Sequence, residues 1–442
     1  MTKENATSRE GFTSKFGFIM SCIGSALGLG NIWMFSYKLG AYGGAAFLIP
    51  YFLFVFILST TGLITEFTFG RYFKAGSYIG INTLFKKRNL KSGKIIGLLP
   101  TLGITGIFIF YCIVVGWVLK YFALSITGKI STIDTQTYFS NFSGTSSSIP
   151  WFLLAVVITL LIVISGVAKG IERLNKIVLP ILFVIFIFLM FKSLSLEGAM
   201  EGVRYLVIPR WEVLLNAKTW IMALGQAFFT VSLTGCGMVV YGSYINKDFD
   251  IPTSSLQTAI FDTLAALLAS FIIIPAVFAF NIAPDSGPSL LFITVPKVFQ
   301  SMPYSSVISS LFFLSIIFAA ISSSVSMLEG PVETLLSATN LTRKKATILV
   351  SVVCFLLGLP LAVNIGMFGQ FADFITIVLS PIGVLIVAIC FFYLFDKKTL
   401  LKAVNQGSKH PVGSWFVPLG KYVFVTTTIL VIILGLIYGS IG

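Results

Sequence analysis

The stretch GSALGLGN, residues 24–31, interrupts the first long apolar segment of the chain. Glycine weakens a helix interior by about 1 kcal/mol relative to alanine, and this stretch has three glycines in seven residues before Asn31. Unwound backbone at mid-membrane is tolerated only where it lines a cavity or is buried in protein. The stretch therefore predicts a broken membrane helix; close helix packing through small residues is the alternative.

A second interruption, TVSLTGCG at residues 230–237, lies in the sixth apolar segment, five segments after the first. Corresponding breaks in two halves of a membrane protein are the best sequence pointer to a transporter binding site. Asn31 and the matched position of the second break favour a binding site over packing alone.

The composition predicts a membrane protein: 56% of the 442 residues are hydrophobic and 10% are charged, against about a quarter charged in soluble domains. The first twelve residues are polar and no small-residue cleavage site follows, so the first apolar segment is expected to be retained. The five cysteines lie in apolar segments without metal-ligand spacing. A single histidine, His410, excludes a His-based metal site or a Ser-His-Asp triad.

Eleven membrane spans are predicted, with the N-terminus cytoplasmic and the C-terminus outside. Most lysines and arginines then lie in cytoplasmic loops, the positive-inside bias. The net charge of +14 follows from these short loops, and nucleic-acid binding is not expected. The predicted spans are 12–36, 41–70, 96–124, 150–168, 174–192, 218–246, 255–283, 304–337, 344–363, 368–395 and 418–440. The outer segment 290–299 is apolar enough for a short helix of its own.

Several motifs resemble the neurotransmitter:sodium symporter family over residues 9 to about 395: REGF at 9–12, GLGNIW at 28–33, GGAAFLIPY at 43–51, Glu66 through Arg71, and GQAFFTVS at 225–232. The resemblance is greatest to the eleven-helix bacterial members, and among them to tyrosine carriers. It implies an all-α membrane protein of the bacterial inner membrane. Its fold would be a leucine-transporter-type 5+5 inverted repeat with discontinuous helices 1 and 6: residues 1–192, 193–395, and an addition at 396–442.

The resemblance also implies an L-amino-acid site at the two breaks. The amides near Leu29 and Gly30 and the Tyr111 hydroxyl would receive the substrate carboxylate. The ammonium would meet carbonyls of Ala26, Phe229 and Thr230 and the Ser232 hydroxyl. The side-chain pocket would be lined by Ile107, Val114, Phe229, Gly235, Ser323 and Met327. Because Gly235 replaces a phenylalanine of leucine-selective members, we expect aromatic substrates, tyrosine first.

Two sodium sites are likewise implied by the family. The first would use Ala26, Asn31, Thr230, Asp262 and the substrate carboxylate. The second would use carbonyls of Gly24, Leu27 and Ala319 with the hydroxyls of Ser322 and Ser323. If sodium and substrate share a ligand, each raises the affinity of the other, and sodium entry drives uptake.

Two gate positions depart from the usual family pattern. The outer gate pairs an arginine with an aspartate; Asp373 is present, but the arginine position is Met34. Asp373 is then either a gate or a solvated residue. Arg9 is present on the inner side, but its aspartate partner is Ser337, with Glu333 one turn earlier as a candidate substitute. Glu66 is expected to anchor the unwound part of span 6.

Animal members of the family bind a chloride ion, and the residues at the corresponding positions predict that this chain does not need one. These residues are Tyr51, Gln226, Thr230, Asp262 and Ala266. A low-dielectric site makes unbalanced charge expensive, and Asp262 can offset the surplus positive charge that chloride offsets elsewhere. A protonated, merely hydrogen-bonded Asp262 is the alternative.

The predicted function is therefore sodium-coupled import of an L-amino acid, with another amino acid or a small amine as alternative cargo. An intramembrane aspartyl protease is a competing function that the sequence does not favour. It would need two carboxylates sharing a proton, and Asp262 and Asp373 belong to different segments of the second repeat. A channel filter would need rings of like residues, which the sequence lacks.

Overall fold

The computed structural model describes residues 10–280 and 290–439, and these residues form helices and connecting segments only. Arg9, one of the predicted gate residues, lies outside the described residues. The first half contains helices Lys15–Ala26, Gly30–Met34, Phe35–Ala41, Ala45–Leu58, Ser59–Leu63, Ile64–Phe73, Ser77–Lys87, Gly93–Ile126, Lys129–Ser131, Thr135–Phe142, Ser146–Ser148, Ile149–Ile164, Val167–Glu172 and Arg173–Leu194. The remainder contains Ala199–Val207, Trp211–Leu215, Ala217–Thr230, Gly237–Ser243, Ile251–Ala279, Thr294–Gln300, Ser305–Ala338, Arg343–Ala362, Ile365–Asp373, Phe374–Leu379, Ser380–Leu394, Lys397–Asn405, Phe416–Pro418, Leu419–Phe424 and Val425–Tyr438.

Nine continuous helices within the described ranges are long and apolar enough to cross a membrane, and a bent pair makes up to ten. The bent pair is the first predicted span. An eleventh crossing requires counting Ala217–Thr230 and Gly237–Ser243 as one interrupted span, so the count of eleven stays a prediction. The spans are Ala45–Phe73, Gly93–Ile126, Ser146–Ile164, Val167–Leu194, Ile251–Ala279, Ser305–Ala338, Arg343–Ala362, Ile365–Leu394 and Phe416–Tyr438, with Lys15–Ala26 plus Gly30–Ala41 as the bent pair.

Both predicted interruptions are present. The first helix stops at Ala26 and resumes at Gly30, and its two halves meet at a bend of 58°. The second interruption spans residues 231–236, where Ser232 and Gly235 adopt positive φ values of 52° and 71°. Each break leaves free carbonyls at the end of one half-helix and free amides at the start of the next.

Two long helices, Gly93–Ile126 and Ser305–Ala338, pack against each other. Their most apolar windows are 83% and 72% buried, against 33% for both Ser146–Ile164 and Phe416–Tyr438. The long pair therefore forms the interior of the bundle, and the latter two lie at its lipid-facing periphery. The predicted short outer helix is present as Thr294–Gln300, with most of its residues buried.

Candidate functional site

A cavity of about 160 Å³ lies where the two broken helices face the long helices. Its walls come from both breaks, from Gly93–Ile126, from Ser305–Ala338 and from the helix around Ser380. The lining residues are Ser25, Ala26, Gly28, Leu29, Gly30, Asn31, Trp33, Met34, Ile107, Phe110, Tyr111, Val114, Phe228, Phe229, Thr230, Ser232, Leu233, Thr234, Ser323, Met327, Thr376 and Ser380.

The predicted substrate residues lie at this cavity with one exception. Those that line it are Ala26, Leu29, Gly30, Ile107, Tyr111, Val114, Phe229, Thr230, Ser232, Ser323 and Met327. The prediction that Gly235 lines it is wrong. A Cβ atom at Gly235 would lie 2.2 Å from the Gly383 carbonyl oxygen, and its φ of +71° favours glycine. Gly235 therefore serves close backbone packing and adds no volume to the pocket.

The polar end of the cavity is built on the first break. The Leu29 amide donates a 3.1 Å hydrogen bond to the Tyr111 hydroxyl. The Ser232 hydroxyl donates to the Ser25 carbonyl over 2.9 Å, joining the two breaks. An amide at the start of a half-helix and a tyrosine hydroxyl at the same point form a site suited to a carboxylate.

A buried carboxylate adjoins this end of the cavity. The Asn31 side-chain amide donates to Asp262 Oδ1 and to Thr230 Oγ1, each over 2.7 Å. The Thr230 hydroxyl donates to Asp262 Oδ2 over 2.6 Å. Asp262 is fully buried on Ile251–Ala279. Residues of both broken helices and of a third span thus meet at one carboxylate.

The other positions of the family's chloride site are also buried: Tyr51, Gln226 and Ala266. The Gln226 side-chain amide donates to the Gly30 carbonyl over 3.3 Å. Among the five chloride-site positions, Asp262 is the acidic residue, and it lies one helical turn before Ala266.

A second oxygen cluster lies between the first break and Ser305–Ala338. The Ser323 hydroxyl is 3.1 Å from both the Gly24 and the Leu27 carbonyl oxygens. The Ser322 hydroxyl donates to the Ala319 carbonyl over 2.7 Å. Hard cations prefer such oxygen ligands, and free carbonyls at a half-helix end are the typical sodium ligands of broken transporter helices.

The anchoring role predicted for Glu66 is confirmed by its hydrogen bonds. Its Oε1 atom accepts from the amides of Thr234 and Gly235 over 3.2 and 2.8 Å. The Glu66 side chain is 2% exposed and holds the unwound part of the sixth predicted span without lining the cavity.

The outer-gate positions do not form an ion pair. Asp373 is exposed at the end of Ile365–Asp373 and has no salt bridge with the described part of the chain. Met34 lines the cavity instead. An apolar side chain therefore lines the cavity at the position where the family resemblance predicts an arginine.

A charged network lies at the end of the bundle that is predicted to face the cytoplasm. Arg343 contacts both carboxylate oxygens of the fully buried Glu329 over 2.8 and 2.9 Å, and Glu10 over 3.2 Å. The Tyr244 hydroxyl donates to Glu329 over 2.5 Å. The Ser337 hydroxyl, at the family's aspartate position, donates to Glu333 over 2.6 Å. This network joins the segment before the first helix to the start of Arg343–Ala362.

The ion pair between Arg343 and Glu329 and part of the cavity wall were not predicted from the sequence. Trp33, Phe110, Thr376 and Ser380 line the cavity but carry no local signal of their own. Thr376 and Ser380 are four residues apart and so share one helix face, which is the one pattern that could have suggested them.

Comparisons with known proteins identify the family of the chain. The sodium:neurotransmitter symporter family matches residues 9–147 and 140–440. The uncharacterized sodium-dependent transporter YhdH of Bacillus subtilis is 35% identical over 96% of this chain and 97% of its own length. A sodium- and chloride-dependent GABA transporter of Drosophila melanogaster is 26% identical over 72% of this chain and 38% of its own length.

A solved structure with a bound amino acid is also similar to this chain. The structure of MhsT in complex with L-phenylalanine superposes with a TM-score of 0.87 at 33% identity, covering 97% of this chain and 100% of that chain. A match over this length establishes the fold as well as the ancestry of the chain. The chain belongs to the sodium:neurotransmitter symporter family. It is a multi-pass, sodium-dependent symporter and not an enzyme.

Proposed function

We propose that this sodium:neurotransmitter symporter imports an L-amino acid with an aromatic or large apolar side chain, without using chloride. The observation that carries the proposal is the buried Asp262 carboxylate hydrogen-bonded to Asn31 and Thr230. The cavity, the sodium oxygens and the missing outer arginine are each consistent with it.

The cavity chemistry supports an amino-acid substrate. One end presents the Leu29 amide and the Tyr111 hydroxyl, which suit a carboxylate. The opposite walls are apolar and include Ile107, Val114 and Met327. Burying a large apolar side chain contributes about 1.5–3 kcal/mol. MhsT was solved with L-phenylalanine, which supports an aromatic preference at a similar site.

Two sodium ions are proposed as co-substrates. The first would be held by the Ala26 carbonyl, Asn31, Thr230 and Asp262, together with the substrate carboxylate. The second would be held at the Ser323 cluster by Gly24, Leu27, Ala319, Ser322 and Ser323. A shared carboxylate links sodium binding to substrate binding reciprocally.

Chloride independence follows from charge balance. Two sodium ions beside a zwitterionic substrate leave surplus positive charge in a dry site, where an uncompensated charge is costly. Asp262 places a fixed negative charge at that point. The Drosophila relative is named as chloride-dependent, so a chloride requirement is the alternative that an anion-replacement experiment must exclude.

The proposed architecture is eleven spans with a cytoplasmic N-terminus, in a bacterial inner membrane. Residues 1–192 and 193–395 would form inverted repeats and residues 396–442 an addition. The two breaks, one in each half, support this division. Spans 1, 2, 6 and 7 would rock against spans 3, 4, 8 and 9 to open the cavity to either side.

The proposal is tested by uptake of labelled L-tyrosine into proteoliposomes holding the purified protein. An inward sodium gradient should drive accumulation, and an equal potassium gradient should not. Unlabelled phenylalanine and leucine should compete more strongly than alanine, glycine or a small amine. Uptake that ignores the sodium gradient, or competition led by the amine, would reject the proposal.

A further inference from the structure

A cleft of about 320 Å³ lies on the outside of the bundle, where Ser146–Ile164 ends and Val167–Leu194 begins. It is lined by residues of both helices, among them Leu161, Ser165, Lys169, Arg173 and Ile177. None of its lining residues belongs to the substrate cavity. The cleft is therefore a separate surface feature that transport chemistry does not explain.

Two cationic side chains form the polar end of the cleft. Lys169 and Arg173 are both exposed and lie four residues apart, so they project from the same side of the helix. Neither forms an ion pair with the residues that the structure describes. The neighbouring Glu172 is buried and accepts from Thr13, Ser14 and Lys176 instead. The two positive charges are thus available to an anionic ligand.

The other end of the cleft is apolar and faces the lipid. Leu161 is 60% exposed and Ile177 is 52% exposed. The exposed apolar face continues along the second helix through Ile181, Val184 and Phe188. In a membrane-spanning helix such a face contacts acyl chains, because neither water nor protein covers it.

We propose that this cleft binds an anionic phospholipid. The phosphate would lie between Lys169 and Arg173, and one acyl chain would follow Leu161, Ile177 and the face beyond them. Basic residues at helix ends bordering the bilayer attract anionic headgroups. A free phosphate would use only the cationic end, whereas a phospholipid matches both ends of the cleft.

The position of the cleft places this lipid beside the inner side of the symporter. Residues Val167–Glu172 form a single π-helical turn. Lys169 on this turn faces the cleft, while Glu172 on the same turn accepts a 2.7 Å hydrogen bond from the Thr13 amide. The bound headgroup would therefore adjoin the segment that leads into the first broken helix.

Native mass spectrometry of the full-length protein tests the proposal. Phosphatidylglycerol and phosphatidylcholine with identical acyl chains are titrated into the delipidated protein. Phosphatidylglycerol should bind more tightly to the wild type. The variant K169Q/R173Q should bind it roughly 30-fold more weakly, the equivalent of about 1 kcal/mol for each of two charges.

The matched control is K344Q/K345Q, which removes two exposed charges at the same end of the bundle. Arg343, the adjacent residue, hydrogen-bonds the Val163 carbonyl near the end of Ser146–Ile164. This control and the charge-preserving K169R/R173K should both bind phosphatidylglycerol as the wild type does. Because Lys169 and Arg173 are exposed, the variants are expected to fold, and sodium-driven uptake verifies this.

Three results would overturn the proposal. The first is wild-type phosphatidylglycerol binding by K169Q/R173Q. The second is equal binding of phosphatidylcholine and phosphatidylglycerol by the wild type. The third is displacement of phosphatidylglycerol by inorganic phosphate as effectively as by added lipid, which would indicate a phosphate site without an acyl-chain component.

Discussion

The side-chain amide of Asn31 donates a 2.7 Å hydrogen bond to the carboxylate of Asp262. Asn31 follows the break in the first span, and Asp262 lies in the middle of the continuous helix Ile251–Ala279. Thr230, at the end of the half-helix Ala217–Thr230, donates to the other carboxylate oxygen over 2.6 Å. A single buried carboxyl group therefore connects both broken helices, and it lies where sodium and substrate are proposed to meet.

Replacing Ser323 with alanine is expected to weaken sodium binding. Its hydroxyl lies 3.1 Å from the carbonyls of Gly24 and Leu27, at the proposed second sodium site. A buried hydroxyl in such a position contributes about 1–3 kcal/mol, so the half-saturating sodium concentration should rise roughly fivefold or more. Sodium titration of uptake measures this effect.

The adjacent Ser324 provides a matched control, because its hydroxyl bonds the Ile321 carbonyl and faces Thr159. Ser324→Ala should keep the wild-type sodium dependence. An unchanged sodium titration curve for Ser323→Ala would remove Ser323 from the sodium site.

Replacing Tyr111 with phenylalanine is expected to weaken substrate binding. Its hydroxyl meets the Leu29 amide at the polar end of the cavity. Loss of one hydrogen bond to a charged carboxylate costs about 1.5–3 kcal/mol, so KM for the amino acid should rise at least about tenfold. Tyr121→Phe, on the same helix and away from the cavity, should leave KM unchanged. Equal KM values for the two variants would argue against carboxylate binding at Tyr111.

Replacing Gly235 with alanine is expected to lower stability without changing substrate preference. The added Cβ would lie 2.2 Å from the Gly383 carbonyl oxygen, and the residue has a φ of +71°. Such strain costs about 1–3 kcal/mol, so the thermal midpoint in detergent should fall. Gly369→Ala, where a Cβ meets no atom within 4 Å, should not lower it. A changed tyrosine-to-leucine preference with a wild-type melting temperature would show that position 235 faces the substrate.

Replacing Glu329 with glutamine is expected to favour opening toward the inner side. Glu329 is fully buried and paired with Arg343 over 2.8 Å. Removing one partner of a buried ion pair costs about 3–5 kcal/mol, which destabilises the closed inner side. A cysteine introduced at Ser25 should then react faster with a membrane-impermeant thiol reagent applied from the inner side. Lys344→Gln, next to the arginine, should leave that rate at its wild-type value; the same rate in Glu329→Gln would contradict a closing role.

The breaks in the helices could be predicted because their signals are local. The glycines at 24–31 and 230–237 indicate both interruptions. The family resemblance assigns Tyr111, Asn31 and Ser323 to the site between them. Gly235 could not be placed correctly. Its backbone is turned toward Gly383, almost 150 positions away in the chain, and a residue's direction in unwound backbone follows from packing, not from sequence spacing.

The inner network could not be predicted for a similar reason. Glu329 and Arg343 lie on different helices, and no sequence spacing indicates that they form a bidentate pair. Thr376 lies within the π-helical turn Phe374–Leu379 and Ser380 directly follows it, and both residues line the cavity. These contacts depend on packing between residues that are distant in the sequence. Glycine content and hydrophobic runs, in contrast, can be read directly from the local sequence.

The central claim is that the Asp262 carboxylate replaces chloride as the counter-charge for sodium. The most direct test is sodium-driven L-tyrosine uptake with gluconate or chloride as the only anion, comparing the wild type, Asp262→Ser and the exposed control Asp248→Asn. The wild type and the control should transport equally in both anions. Asp262→Ser should lose at least about 100-fold in gluconate, because an uncompensated buried charge costs about 3–5 kcal/mol, and should regain part of its activity in chloride. Full activity of Asp262→Ser in gluconate, or a chloride requirement in the wild type, would contradict the claim.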